Sequence, residues 1–317
     1  MDRSEGLAKI TRSMRPKRSQ SDSQTATSAP GADVTGGSPG RLSASRERFG
    51  YLGACPPRAI AHRGGSLEWT ENTMAAFQGA WDLGFTYFEL DVRATADGVL
   101  VVFHDDSMER LAGRPEAVEE CTIEQLAEVR LGAANAAIPT LEEVLTTFPD
   151  VRIHLDVKDA SSIDPLCNLL TRLDDPGRFC VACFAPRPLA RIRAQLGEGY
   201  LTNLSIPEMG RLRSASFGLP SGPIKGFVAS VPPKNGRLRV VDRRFVDAAH
   251  ERGIEVHVWT IDDSSQMEEL LDFGVDAIMT DRPTVLKELL VKRGAWNPPP
   301  AGGATRDADA LTRRDDE

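Results

Sequence analysis

The sequence predicts an α/β fold, a closed (β/α)8 TIM barrel forming a single domain with disordered N- and C-terminal tails. Three observations predict it. Short apolar runs of strand character alternate with amphipathic helical stretches, which signals a mainly parallel sheet. About 240 residues lie between two tails of biased composition, near the usual size of such a barrel. Several runs end in polar or aromatic side chains, as barrel strands do where they build a shared cavity.

Residues 1–48 are rich in Ser, Thr, Gly, Arg and Pro and poor in large apolar groups. Burial there cannot offset the entropy of ordering. A disordered extension is therefore expected over 1–48, the barrel domain over 55–292, and a second disordered tail over 293–317. Strand character belongs to RAIAH (58–62), TYFELDV (86–92), VLVVFH (99–104), VRIHLDVK (151–158) and RFCVACF (178–184). It recurs in YLTNLS (200–205), KGFVAS (225–230), IEVHVWT (254–260) and DAIMT (276–280). Helices are marked by 73–84, 140–148, 161–173, 242–253 and 264–274, with Gly84, Gly253 and Gly274 where a left-handed C-cap is wanted.

The chain has 317 residues, 41% of them hydrophobic, and a formal charge of −8. Its pI of about 5.3 makes it a poor nonspecific nucleic-acid binder. No run approaches the roughly 18 apolar residues of a membrane span, so no stable membrane insertion is expected. The basic N-terminus lacks the apolar core of a secretory signal, so a cytoplasmic location is expected. Five scattered cysteines argue against a disulfide framework. Cys180 and Cys183 form a C-x-x-C, but they face opposite ways in a strand and no second pair completes a zinc site.

Side-chain alternation identifies the candidate site. In VRIHLDVK, Val151, Ile153, Leu155 and Val157 share one face, while His154, Asp156 and Lys158 share the other. In TYFELDV, Glu89 and Asp91 lie on one face with Tyr87. Glu89, Asp91 and Asp156 would crowd one barrel mouth, where their mutual repulsion calls for a hard divalent cation, Mg²⁺ or Ca²⁺. His62 and His104 each close an apolar run, and a histidine pair can act as general acid and general base. His257 and Trp259 share a side of IEVHVWT. Arg63 offers a fork and Lys158 a point charge, both suited to phosphate, although either can simply neutralise a neighbouring carboxylate. Cation, cationic side chains and imidazoles together describe phosphoryl-transfer chemistry.

An ordered set of motifs carries a resemblance. It comprises His62-Arg63-Gly64, Glu71-Asn72-Thr73, Glu89 with Asp91, Thr95 with Asp97-Gly98, and His104-Asp105. IPTLEEVL (138–145), VHVWT (256–260) and GVDAIMTDRP (274–283) follow in order. Over about residues 57–290 the chain resembles the glycerophosphodiester phosphodiesterase family. That resemblance implies hydrolysis of a small glycerophosphodiester to an alcohol and sn-glycerol 3-phosphate, by way of a cyclic phosphate formed by the substrate's own 2-hydroxyl. It further implies that His62 and His104 are catalytic, that Glu89, Asp91 and Asp156 hold the metal, that Arg63 and Lys158 grip phosphate, and that Trp259 lines the pocket. His154, one layer deeper, is expected to orient neighbours.

Three departures from the family pattern stand out. Asp156 occupies a position where Glu is common, Thr70 replaces a frequent Pro before the Glu-Asn-Thr triplet, and the paired threonines usual after Arg110 are missing. Glu71 or Asn72 is expected to cap the helix starting near Thr73. Competing readings are a lysophospholipase D or sphingomyelinase D type enzyme on the same barrel, and a catalytically inactive binding barrel. A glycosidase using Glu89 and Asp91 is disfavoured, since carboxylates two apart on one strand lie side by side.

Overall fold

The computed structural model describes residues 40–53 and 56–296. Its strands are β1 (Arg58–His62), β2 (Tyr87–Ala94), β3 (Leu100–Val102), β4 (Arg152–Val157), β5 (Phe179–Ala182) and β6 (Leu201–Thr202), followed by β7 (Val228–Val231), β8 (Lys234–Asn235), β9 (Leu238–Arg239), β10 (Glu255–Val258) and β11 (Ala277–Thr280). Eight of them run in the order β6-β5-β4-β2-β1-β11-β10-β7, every neighbouring pair parallel. Asn203 bridges to Val228 in parallel and joins β6 to β7, so the sheet closes on itself. This is the expected (β/α)8 barrel.

The alternation read in β2 and β4 separates two cores. Phe88, Leu90 and Val92 of β2, with Ile153, Leu155 and Val157 of β4, pack outward against the helices. Tyr87 joins Ile60, Cys180, Leu201, Val228, Ala277 and Met279 in an apolar plug inside the barrel. Cys180 and Cys183 fall in different clusters, and both are buried.

Three expectations need correction. The run VLVVFH is not a barrel strand. As β3 it pairs antiparallel with the end of β2, Val102 opposite Val92, and opens an excursion that lasts until Thr140. That excursion has its own small core, including Val101, Phe103, Met108, Val118 and Leu131. Second, the leader expected to be disordered to residue 48 is a helix over Gly40–Arg48; residues 1–39 lie outside the described residues. Phe49, Tyr51 and Leu52 follow the helix into the floor of the inner plug. Arg46 binds Glu255 and Asp276, at 2.6 Å each, where β10 and β11 begin. Fully burying side chains of this size contributes about 1.5–3 kcal/mol apiece, which a Ser- and Arg-rich composition does not advertise. Third, the C-terminal boundary at 293 falls short, because Trp296 packs on Phe85 with ring centroids 5.3 Å apart. The tail beyond 296 lies outside the described residues. Among the described residues, no helix is long and apolar enough to cross a membrane.

Candidate active site

β1 delivers His62 to the C-terminal mouth, and a tight turn follows it. Arg63 takes φ 54° and Gly64 φ 82°. A Cβ on Gly64 would stand 2.6 Å from the Cβ of Ala76, so the turn lies directly on the first turn of the helix Met74–Asp82. The Arg63 amide donates to the Glu89 carbonyl at 2.9 Å, which locks the turn to β2. Its guanidinium then reaches Glu71 Oε1 at 3.0 Å and Asp91 Oδ2 at 3.1 Å. Neither Glu71 nor Asn72 caps the next helix. Thr73 does so, accepting from the Ala76 amide at 3.3 Å. Asn72, at φ 56°, instead donates Nδ2–H to Asp91 Oδ2 at 2.8 Å.

The acidic triad follows from register. Glu89 and Asp91 share the inner face of β2, and Asp156 of β4 stands opposite Asp91. All three are buried, with one oxygen from each lying within 4.8 Å of the others. Burial and then the Asp91 charge push the Glu89 carboxyl up to about 7. Burial also opposes ionisation of Asp91, but Lys158 and Arg63 outweigh it and hold that carboxyl well below its ordinary value. Lys158 Nζ donates to Asp156 at 2.6 Å and stands 2.9 Å from Asp91 Oδ1. It sits within the acidic cluster, which is the neutralising role its sequence position allowed.

The donor set fits a hard divalent cation. Such an ion takes carboxylate oxygens at about 2.0–2.6 Å, so its ligands fall within about 4–5 Å of each other. The elevated Glu89 reflects burial first and the Asp91 charge second, which Arg63 and Lys158 only partly offset, and a bound cation would relieve both.

Each candidate acid–base histidine has its Nδ1 taken by a carboxylate. His62 Nδ1 lies 2.6 Å from Oδ1 of Asp281, the residue after β11. His104 Nδ1 lies 2.7 Å from Asp105 Oδ1. Burial works against a charged His62, yet Glu89 and Asp281 outweigh it and raise its proton affinity. Burial and Lys158 lower that of His104. His62 Nε2 lies 3.7 Å from Glu89 Oε2, and Phe103, just before His104, donates its amide to the Asp91 carbonyl at 3.0 Å, so both histidines border the end of β2 although they arrive on β1 and on the excursion.

Trp259 stands just past β10, tilted against Phe184 at 5.8 Å, with its buried Nε1–H lacking a partner among the described residues. His257, although on the same side of its strand, belongs to a lower layer and meets Glu255 at 3.1 Å. His154 is buried beside it, ring centroids 6.4 Å apart; burial and then His257 push it down to about 3, so it stays neutral. Its Nδ1 has no hydrogen-bond partner among the described residues, so no hydrogen bond at that nitrogen supports the expected orienting role. Residue-by-residue reading missed Asp281, Asp105 and Arg110 as site residues. Asp105 and Asp281 stand just past strand-like runs, in the His104-Asp105 and GVDAIMTDRP segments of the resemblance, which named them without giving them a role.

A closed parallel barrel with a buried carboxylate triad at its mouth defines a class, the TIM-barrel enzymes with a site for a divalent cation. The glycerophosphoryl diester phosphodiesterase family matches residues 62–285. The chain belongs to that family and is a phosphoric diester hydrolase of glycerophosphodiesters. It is 35% identical over 249 residues to a probable glycerophosphodiester phosphodiesterase 2 of Mycobacterium tuberculosis, covering 75% of this chain and 92% of the relative. A glycerophosphodiester phosphodiesterase of Caldanaerobacter subterraneus is 29% identical, over 74% of this chain and 98% of the relative. Among solved structures, a phosphodiesterase of Oleispira antarctica in complex with the product sn-glycerol-3-phosphate shares the fold. Its TM-score is 0.63 at 23% identity, over 74% of this chain and 97% of that one.

Proposed function

We propose that the triad, Arg63, Lys158 and the two histidines form the site at which a glycerophosphodiester is split into an alcohol and sn-glycerol 3-phosphate. The observation that carries the reading is the matched pair of carboxylate-held imidazoles beside a buried carboxylate triad. With Nδ1 engaged by Asp281 or Asp105, each ring exchanges protons through Nε2. One imidazole takes the proton of the glycerol 2-hydroxyl as that oxygen attacks phosphorus. The other gives a proton to the departing alcohol oxygen as its P–O bond breaks. Water then opens the cyclic phosphate with the two roles reversed. Arg63 supplies a guanidinium fork for phosphate oxygens, and Lys158 keeps positive charge beside them. A divalent cation, Mg²⁺ or Ca²⁺, held by Glu89, Asp91 and Asp156, supplies further neutralisation of phosphate charge. Trp259, with an unmet N–H and an aromatic face, lines the pocket for the glycerol or alcohol portion.

The product complex of the Oleispira antarctica relative supports sn-glycerol 3-phosphate as the retained half. Deacylated substrates are favoured over lysophospholipids. On the loops of the C-terminal face, Leu67 and Leu238 are the large apolar residues that are mainly exposed among the described residues, and they stand on separate loops, too little for an acyl-binding rim.

The test measures sn-glycerol 3-phosphate released from a panel of deacylated glycerophosphodiesters, with Mg²⁺, with Ca²⁺ and with chelator. Release is expected only with a divalent cation. His62→Ala and His104→Ala are each expected to slow it by roughly 10²–10⁴-fold. Unchanged turnover in His104→Ala would falsify the acid–base assignment.

A further inference from the structure

Arg110 sits in the short helix Glu109–Ala112 of the excursion that carries His104. Its side chain is 48% exposed, so it contributes little to the core. Every face of the guanidinium is nonetheless engaged. Nε donates to Asp105 Oδ2 at 2.6 Å, Nη1 to Glu71 Oε2 at 2.9 Å, and Nη2 to Glu71 Oε1 at 2.7 Å. The other oxygen of Asp105 is the one that meets His104 Nδ1. The same Glu71 Oε1 accepts from Arg63 at 3.0 Å. One side chain thus ties His104, which arrives from outside the barrel, to the loop that follows His62.

A lone exposed ion pair contributes almost nothing to stability. A bidentate fork that also grips a second carboxylate is different, because it fixes direction as well as distance. Asp105 is partly exposed, so its carboxylate is free to turn on one side, and Arg110 holds the oxygen not used by the imidazole. Lysine would satisfy one of the three bonds.

We propose that Arg110 is a positioning residue for the phosphodiester reaction, aligning the His104 imidazole through Asp105 and seating the excursion on the barrel through Glu71. This rests on the reading of His104 as one of the acid–base pair. Arg110 need not touch substrate.

The test uses the full chain at saturating divalent cation and compares Arg110→Ala, Arg110→Lys and His104→Ala on one glycerophosphodiester. For Arg110→Ala, kcat is expected to fall about 10–100-fold, as for other loss of groups that orient a reactive ligand. KM should move less than about 3-fold and the melting temperature little. Added guanidinium ion should restore much of the lost kcat in Arg110→Ala and none in His104→Ala, while Arg110→Lys should stay impaired. Wild-type kcat in both Arg110 variants, beside an inert His104→Ala, overturns the role of Arg110 alone. A parallel loss of kcat and melting temperature without rescue also overturns it, leaving a structural tie. Wild-type turnover in His104→Ala overturns the site reading beneath it.

Discussion

Asp281 and His62 are 219 residues apart in sequence and 2.6 Å apart in the barrel. The carboxylate accepts from Nδ1, which leaves Nε2 to face the reaction. In Asp281→Asn the amide can present its NH₂ to Nδ1 and favour the wrong tautomer, with the shape preserved. A fall in kcat of roughly 10²–10⁴-fold with little change in KM is expected. Steady-state kinetics on cation-loaded enzyme would show it, and a variant within about threefold of wild type removes Asp281 from the mechanism. The same distance explains what could be read beforehand. His154, Asp156 and Lys158 announce their shared face because they alternate along one strand, as do Glu89 and Asp91. Asp281 could not be matched to His62 until β11 was known to lie beside β1, and Arg110 could not be matched to Glu71 until the excursion folded back.

At the scale of elements, an apolar run states that a strand forms but not which way it points. β3 has the same composition as the parallel strands and runs against β2. The Gly40–Arg48 helix is harder to foresee, since its anchors Glu255 and Asp276 lie more than 200 residues away and its own sequence is polar. Local backbone demand is more legible. Gly64 follows the histidine that ends β1 and takes a left-handed φ against Ala76. Gly64→Ala is expected to destabilise the fold by about 1–3 kcal/mol from backbone strain alone. The 2.6 Å approach to the Ala76 Cβ adds to that and should shift His62 and Arg63. Urea midpoints measured with turnover check this. An alanine variant as stable and as active as wild type would show that the turn tolerates a Cβ.

For the whole molecule, the two ends of the barrel divide the labour of charge. The mouth gathers the carboxylate triad with Lys158 and Arg63 where a cation would sit, while the floor pairs its carboxylates closely with arginines and a histidine: Glu255 with Arg58 and Arg46, each at 2.6 Å, and Asp276 with Arg46 and His250. Burial opposes a charged Glu255, but the His257 hydrogen bond and Arg58 outweigh it and hold the carboxyl down at about 2, against an ordinary 4.5. A depressed carboxyl stabilises the fold above its unfolded value, and that contribution is lost as pH falls from about 4.5 towards 2. Burial likewise opposes a charged His250, and Asp276 outweighs it, raising its value above 6.5. That contribution is complete below 6.5 and is lost as pH rises through the raised value. The floor is therefore most stable between about pH 4.5 and 6.5. Glu255→Gln isolates the acid limb from the mouth carboxylates, whose titration depends on bound cation. At pH 5.5 the variant should lose about 3–5 kcal/mol, because the buried Arg58 loses the carboxylate that neutralises it. Urea unfolding should find that gap narrowing by up to about 3 kcal/mol as pH falls from 4.5 towards 2, the range over which wild-type Glu255 takes up its proton. A gap that stays constant across that range would mean the floor carboxylate is not what acid attacks.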